Sequence, residues 1–192
     1  APFNLSDMSE VPYWLFYLRQ PDGAFFQDGD GYMGRRYAAG AYWTHPQNLW
    51  GLITGLFHDP QFAAEWRRMR AYVEPAADAL EEPILNLVMR PDRIVPATRE
   101  TLPLARYFPE PFGAILARTG WDIGTESRNA AAYLKIGTHQ FGNHQHADSG
   151  QFQLYYRGQL AIDSGIYQSN DTTYGSDHFL NYYQRSVAHN TL

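Results

Sequence analysis

Two histidines stand two residues apart in the segment GNHQHADSGQFQLYYRGQLAIDSG, which runs from residue 142 to residue 165. His144 and His146 are followed by Asp163 and, in the later segment SVAHNTL, by His189. In an extended segment, side chains at positions i and i+2 point to the same face, so the two histidines can face one site. Imidazole nitrogens and carboxylate oxygens are suitable ligands for Zn²⁺. The residue types and their spacing therefore indicate a candidate metal site.

The same side chains also admit simpler roles, because a histidine pair occurs by chance and a histidine is more often a hydrogen-bonded residue than a ligand. Asp148 stands shortly before Gly150, and Asp163 stands in IDSG, so either carboxylate could cap a turn. Arg185, in YYQRS, could bind a substrate carboxylate or form a structural salt bridge. The loop QDGDG lacks the glutamate that closes an EF-hand calcium loop, so a turn is favoured there.

A sheet would position these residues, and the second half of the chain predicts one. From about Ala105, the segments FGAILART, AAAYLKIG, QFQLYYRG and QLAIDSGIY are short, alternate in polarity and are bounded by glycine. Arg157 and Gly158 stand where a tight turn would join the last two segments into a hairpin. Asp163 would then return beside the start of the preceding strand, and His189 would lie in a further strand, SVAHNTL. We expect an antiparallel sheet that forms one layer of a sandwich.

The first half of the chain predicts helices. The segment EVPYWLFYLRQPDG has a proline suited to a first helical turn and ends in a Pro-Asp-Gly turn. In THPQNLWGLITGLFHD and DPQFAAEWRRMRAYVE, a capping residue and a proline precede apolar residues at helical spacing. A tight turn at residues 58–60 is predicted between these two helices. The chain is therefore predicted to be an α+β protein, with a helical domain at residues 1–103 and a β domain with the metal site at residues 104–192.

Bulk composition narrows the classes of function. The chain has 192 residues, 44% of them apolar, a formal net charge of −5 and no cysteine. Nucleic-acid binding is not expected because the lysines and arginines form no basic block. No membrane span is expected because no apolar run is long enough to cross a bilayer. The first ten residues show no signal-peptide pattern. The chain starts without methionine and stops in the predicted strand SVAHNTL, so we expect it to be a piece of a longer protein.

The segments GNHQHADSGQFQLYYRGQLAIDSGIY and YYQRSVAHNTL together contain HxHxD, a predicted hairpin, DxGxY and a distant HNT. In this pattern the chain resembles the heparinase II/III-like polysaccharide lyases, including the related oligoalginate lyases. The resemblance is close from about Gly120 to the end and looser through YWLFYLRQPDGAFFQDGD. In such enzymes an incomplete α/α toroid precedes antiparallel β-sandwich domains. The resemblance thus implies that residues 1–103 are the end of a toroid and residues 104–192 are a portion of the sandwich.

The resemblance also implies roles for individual residues. His146, Asp163 and His189 match the positions that hold a zinc ion, which organises the site in that family. His144 matches a histidine that faces the substrate and takes part in proton transfer. The candidates for substrate binding are Asn143 and Tyr167, from the resemblance, and Arg185, from its charge.

A lyase of this family cleaves a uronate-containing glycan by β-elimination. The resemblance therefore implies an acidic polysaccharide partner, either heparin- or heparan sulfate-like or alginate-like, and a periplasmic or secreted location. The catalytic tyrosine of the family lies upstream of the segment that RQPDG matches, so we expect it before Ala1. On that expectation, the isolated chain has little or no activity.

Two other functions fit part of the pattern. Cupin-like metal-dependent enzymes also use an HxH pair on a strand and a later histidine, but the glutamate that usually follows the pair is absent here. A non-catalytic carbohydrate-binding module with a purely structural zinc ion would also need the three ligands. An assay for the unsaturated product of elimination distinguishes a lyase from both alternatives.

Overall fold

The computed structural model describes residues 8–22, 24–27, 31–32, 46–72, 87–122, 124, 126–137, 145–164, 166–167 and 175–192. These residues contain helices and a five-stranded antiparallel sheet, so the predicted α+β class is confirmed. The toroid and the sandwich stay predictions. None of the helices in the described ranges is long and apolar enough to cross a membrane.

The elements of regular structure are short. The helices are α1 (Glu10–Leu18), α2 (Pro46–Phe57) and α3 (Pro60–Tyr72). The strands are β1 (Gly31–Tyr32), β2 (Ala105–Phe108), β3 (Ala114–Arg118), β4 (Ala130–Lys135), β5 (Phe152–Tyr156), β6 (Gln159–Ala161) and β7 (Ile166–Tyr167). Single helical turns cover Pro91–Arg93, Arg99–Thr101, Phe179–Tyr183 and Ser186–Ala188.

The chain forms two compact units. The first unit consists of residues 1–13 and 37–103, and the second consists of residues 14–36 and 104–192. Helices α2 and α3 belong to the first unit, and the five-stranded sheet belongs to the second. The predicted domains, 1–103 and 104–192, stay a prediction.

In the first unit, Asp59 caps α3. His58 adopts a left-handed conformation with φ 52°. Asp59 Oδ1 then accepts a hydrogen bond from the backbone nitrogen of Gln61 at 2.7 Å, which satisfies a donor that the helix leaves without an internal partner. Phe62 and Trp66 of α3 are 0% and 4% exposed, as the apolar spacing predicts. The predicted helices and the turn between them are confirmed.

In the second unit, the strand order of the sheet is β2-β3-β4-β5-β6, and all neighbouring strands are antiparallel. The hairpin predicted between β5 and β6 is confirmed. Its turn places Arg157 at φ 55° and Gly158 at φ 153°. The glycine is required at the second position because side chains are strained at such an angle. Strands β3 and β4 alternate between buried and more exposed residues, which is the pattern the sequence predicts.

One face of this sheet is buried. The inward residues of β3 and β4 lie opposite each other in three pairs: Arg118 with Ala131, Leu116 with Tyr133, and Ala114 with Lys135. The middle pair is apolar, whereas each outer pair contains a buried cation. The face thus carries Arg118 at one end and Lys135 at the other.

Aromatic side chains from the second half of α1 pack on the middle of this face. Trp14 contacts Phe108 and Tyr133 with ring centroids 5.2 and 5.9 Å apart. Tyr17 contacts Trp121 edge-to-face at 5.0 Å. Complete burial of a large apolar side chain contributes about 1.5–3 kcal/mol to folding. This cluster is therefore the core of the second unit.

The prediction of a strand at SVAHNTL is wrong. Residues 186–188 form a 3₁₀ turn because the backbone nitrogens of Ala188 and His189 donate to the carbonyls of Arg185 and Ser186, at 2.9 and 3.1 Å. Asp163 was expected on a strand, but it lies between β6 and β7, outside both. At residues 186–188 local hydrogen bonds replace those of a strand ladder. Beside Asp163, the bonds from Ser164 to Ala188 and from Asn190 to Ile162 replace them.

Candidate metal centre

His146 and Asp148 lie in the connection between β4 and β5, and each is 1% exposed. Ala147, the residue between them, is held on both sides. Its backbone nitrogen donates to Gln184 O at 2.8 Å, and its carbonyl accepts from Ser186 Oγ at 2.8 Å. These bonds anchor the two candidate ligands to the segment that leads to His189.

Asp163 and His189 are fixed by hydrogen bonds between their neighbours in sequence. Ser164 donates to Ala188 O from its backbone nitrogen at 3.0 Å and from its hydroxyl at 2.7 Å. On the other side, the Asn190 side-chain amide donates to the carbonyl of the residue before Asp163. The two segments are therefore joined both before and after the candidate ligands.

Two of the three residues predicted to bind metal, Asp163 and His189, are in contact, and the third, His146, lies beside His189. His189 Nδ1 lies 2.7 Å from Asp163 Oδ1, and both side chains are 0% exposed. The ring centroids of His189 and His146 are 5.2 Å apart. Asp148 joins this cluster, because ligand atoms of Asp148, Asp163 and His189 all lie within 4.8 Å of one another.

The chemistry of this group suits a cation. His189 Nε2 is buried and has no hydrogen-bond partner among the described residues. Leaving such an atom unsatisfied costs about 1–3 kcal/mol, which a bound ion would offset. The buried group of Asp148, Asp163 and His189 could therefore hold a metal ion.

An open pocket of about 270 Å³ adjoins this group. It is lined by Gly137, Gln145, His146, Ala147, Asp148, Ser149 and Ser186. His146 and Asp148 thus belong both to the buried cluster and to the wall of the pocket. A ligand in this pocket would lie beside the candidate metal centre.

The other predicted site residues are Asn143, His144, Tyr167 and Arg185. His144 and Asn143 lie outside the described residues. Tyr167 belongs to β7, which pairs in parallel with β1, and its side chain lies outside the described part of the structure. Arg185 is exposed, and its Nε donates to Leu180 O at 2.8 Å. Within the described ranges Arg185 forms no ion pair, so the structural salt bridge considered from the sequence is not found there.

Sequence reasoning missed the groups that hold Asp148. Lys135 Nζ donates to Asp148 Oδ2 at 2.8 Å, and Gln151 Nε2 donates to the same oxygen at 3.0 Å. The position of Asp148, two residues after His146, was a usable signal for its place in the cluster. Lys135 offered a weaker one: a charged residue at an inward position of the alternating segment AAAYLK.

Comparison with solved structures gives significant similarity to lyases. A heparinase III gene product has a TM-score of 0.57 and 15% sequence identity, and the match covers 97% of this chain and 23% of that one. The heparan sulfate lyase HepC from Pedobacter heparinus has a TM-score of 0.54 and 15% identity, with 93% and 22% covered. This chain thus spans less than a quarter of either structure, and at such identity the likeness shows the fold.

Comparison with families and curated proteins adds one match. No curated protein matches the chain significantly. Residues 115–192 match the family described as Heparinase II/III-like, C-terminal. This range contains all the residues of the candidate metal centre. The resemblance to heparinase II/III-like lyases predicted from the sequence is therefore confirmed, over residues 115–192.

Proposed function

We propose that the chain is part of a polysaccharide lyase that cleaves a uronate-containing glycan by β-elimination. The observation that carries this proposal is the buried contact among His146, Asp163 and His189, inside the region that matches the heparinase family. Two similar structures are named as a heparinase III and a heparan sulfate lyase. A heparan sulfate-like glycosaminoglycan is therefore the proposed substrate class, and an alginate-like substrate stays a sequence prediction.

We propose Zn²⁺ as the metal, with His146, Asp163 and His189 as ligands. Two imidazoles and a carboxylate are a common ligand set for zinc. When bound, the ion would tie together the three segments that carry its ligands. Acid–base chemistry on the sugar would then be done by protein side chains beside the metal centre.

β-Elimination requires three events at the uronate. The C5 proton is removed, the bond from C4 to the glycosidic oxygen breaks as a C4–C5 double bond forms, and the leaving oxygen is protonated. Charge that develops on the uronate carboxylate must be stabilised by nearby donors. His144 is the proposed proton-transfer residue because imidazole titrates near neutral pH. The proposed sugar-binding residues are Asn143, Tyr167 and Arg185, of which Arg185 is suited to the carboxylate.

The finer architecture belongs to the same proposal. Residues 1–103 are the end of an α/α toroid, and residues 104–192 are part of a β-sandwich. The outward face of the sheet supports the second statement, because Tyr107, Ile115 and Leu154 are 54%, 38% and 40% exposed and a second sheet would cover such residues. We also propose a periplasmic or secreted location, which is typical of heparinase homologues.

The experiment that tests the function is an ultraviolet absorbance assay with heparan sulfate. Elimination creates an unsaturated uronate that absorbs, whereas hydrolysis or simple binding does not. The assay should use the full natural protein, because this chain spans less than a quarter of the lyase structures that it matches. Absorbance that rises with time supports the proposal. Binding of the glycan without new absorbance would favour a carbohydrate-binding module instead.

The different roles proposed for His144, in proton transfer, and His146, in metal binding, give a sharper test. We expect His144→Ala to keep zinc but to lower turnover by about 100-fold or more, the usual contribution of general acid–base catalysis. We expect His146→Ala to lose zinc as well as activity. Zinc content and initial rates of both variants are compared with those of His139→Ala, a histidine outside the motif. Equal loss of zinc in the His144 and His146 variants would contradict the assignment.

A further inference from the structure

A buried ion pair stands at the edge of the candidate metal centre. Lys135 is the last residue of β4, and its ammonium donates to Asp148 Oδ2 at 2.8 Å. Gln151 donates to the same oxygen at 3.0 Å. The three residues are 5%, 1% and 0% exposed, so the contact is screened from water. Two donors on one carboxylate oxygen fix the orientation of that carboxylate.

Stability alone is a weak reason for such a pair. Burial of two charges costs more in lost hydration than their attraction usually returns, and an apolar pair of similar volume is often at least as stable. Asp148 has a second set of neighbours that an apolar residue would not serve. Its carboxylate lies within 4.8 Å of the ligand atoms of Asp163 and His189, and His189 also presents a buried nitrogen without a partner in the described structure.

We infer that Asp148 is a fourth metal ligand and that Lys135 is the residue that positions it. This inference rests on the proposed metal site. The ammonium and the Gln151 amide occupy one oxygen of Asp148, so the carboxylate presents its other oxygen in a fixed direction. Lys135 also offsets part of the repulsion between the carboxylates of Asp148 and Asp163 before a metal arrives. Two carboxylates against one ammonium leave a formal negative charge that favours a divalent cation.

The test measures zinc affinity by competition with a chromophoric chelator in the full natural protein. We expect Lys135→Met to weaken zinc binding by about 10- to 100-fold, the usual effect of losing a group that orients a ligand. Asp148→Asn replaces the ligand itself, so we expect it to weaken zinc binding at least as much. Each variant should also unfold at lower urea concentration in the presence of EDTA, because each leaves one buried partner of the ion pair uncompensated. Arg118→Met is the matched control, since it removes the other buried cation of the same face.

The double variant Lys135→Met with Asp148→Asn separates positioning from a merely structural role. It removes both charges of the ion pair, so neither is left unpaired, and we expect its urea midpoint with EDTA to recover toward that of the unaltered protein. Its zinc affinity should stay as low as that of Asp148→Asn. Recovery of zinc affinity together with stability would overturn the inference and leave the metal site standing. Failure of the unaltered protein to bind zinc would overturn both.

Discussion

The buried cations at the two ends of the sheet's inward face have different kinds of partner. Arg118 donates to the backbone carbonyls of Tyr17 and Arg19 at 2.8 and 2.7 Å, and its guanidinium carbon lies 4.0 Å from the centre of the Trp121 ring. Lys135, at the opposite end, donates to a carboxylate that belongs to the candidate metal centre. Both side chains are buried, and the apolar Leu116–Tyr133 pair lies between the pair that contains Arg118 and the pair that contains Lys135.

The difference teaches that burial of a charge does not by itself mark a functional site. Carbonyl oxygens and an aromatic ring are neutral acceptors that suit a cation, do not titrate at neutral pH and are not among the usual ligands of Zn²⁺. Burial lowers the pKa of Arg118 to about 10, so the guanidinium remains charged near pH 7. The carboxylate partner of Lys135, in contrast, can also bind a metal. The chemical type of the partner therefore separates a structural end of the sheet from the end that adjoins the candidate metal centre.

Replacement of His189 should have the largest effect, and it acts only at the Lys135 end. His189→Ala removes a candidate ligand and leaves the buried Asp163 carboxylate without its 2.7 Å partner. We expect the zinc content to fall from about one ion per chain, as one tetrahedral site implies, to a trace. Elemental analysis after dialysis measures this. His178→Ala is the control and should keep zinc; loss of zinc in that variant would mean that the ligand set is wrong.

Replacement of Arg118 should affect stability alone. Arg118→Met deletes two hydrogen bonds from a charged donor and a cation–π contact, so we expect the free energy of unfolding to fall by about 2–4 kcal/mol. Urea denaturation with EDTA measures this change. It should be nearly constant from pH 6 to pH 8, because the pKa of about 10 keeps the side chain charged throughout that range. A matching fall in zinc affinity would show that the two ends are coupled.

A smaller effect is expected from the middle of the face. Gln153, on β5, exchanges two hydrogen bonds with the backbone of Gln27: its Nε2 donates to the carbonyl at 2.6 Å and its Oε1 accepts from the nitrogen at 3.2 Å. Gln153→Leu should lower the free energy of unfolding by about 1–2 kcal/mol, because two backbone groups lose their partners. Urea denaturation measures this, with exposed Gln159→Leu as the control. A change in zinc content would contradict a purely structural role for Gln153.

Much of the fold follows from local patterns. The alternation in AILAR and AAAYLK predicts β3 and β4, and Asp59 before a proline predicts the start of α3. The 3₁₀ turn at residues 186–188 could not be predicted in this way, because an element of three residues is too short to show a helical period. Its geometry depends on contacts from elsewhere, such as the bonds from Ser164 to Ala188.

The candidate ligands were predictable to the extent that a motif names them. His146, Asp163 and His189 follow from the HxHxD, DxGxY and HNT pattern. The pairing of Lys135 with Asp148 does not, because it depends on how β4 meets the chain before β5. There the backbone of Lys135 exchanges hydrogen bonds with Gly150 and Gln151, at 2.8 and 2.9 Å. Such register is a property of the assembled sheet rather than of any short segment.

The segment from residue 184 to residue 192 has a consequence for synthesis. Its backbone and side chains bond to Ala147, Phe152, Ile162 and Ser164, so it holds every stretch that carries a candidate ligand. During translation, the strands of the sheet leave the ribosome first, and residues 184–192 emerge only after them. We therefore expect a nascent chain stalled before residue 184 to contain all five strands of the sheet but to lack the capacity to retain zinc.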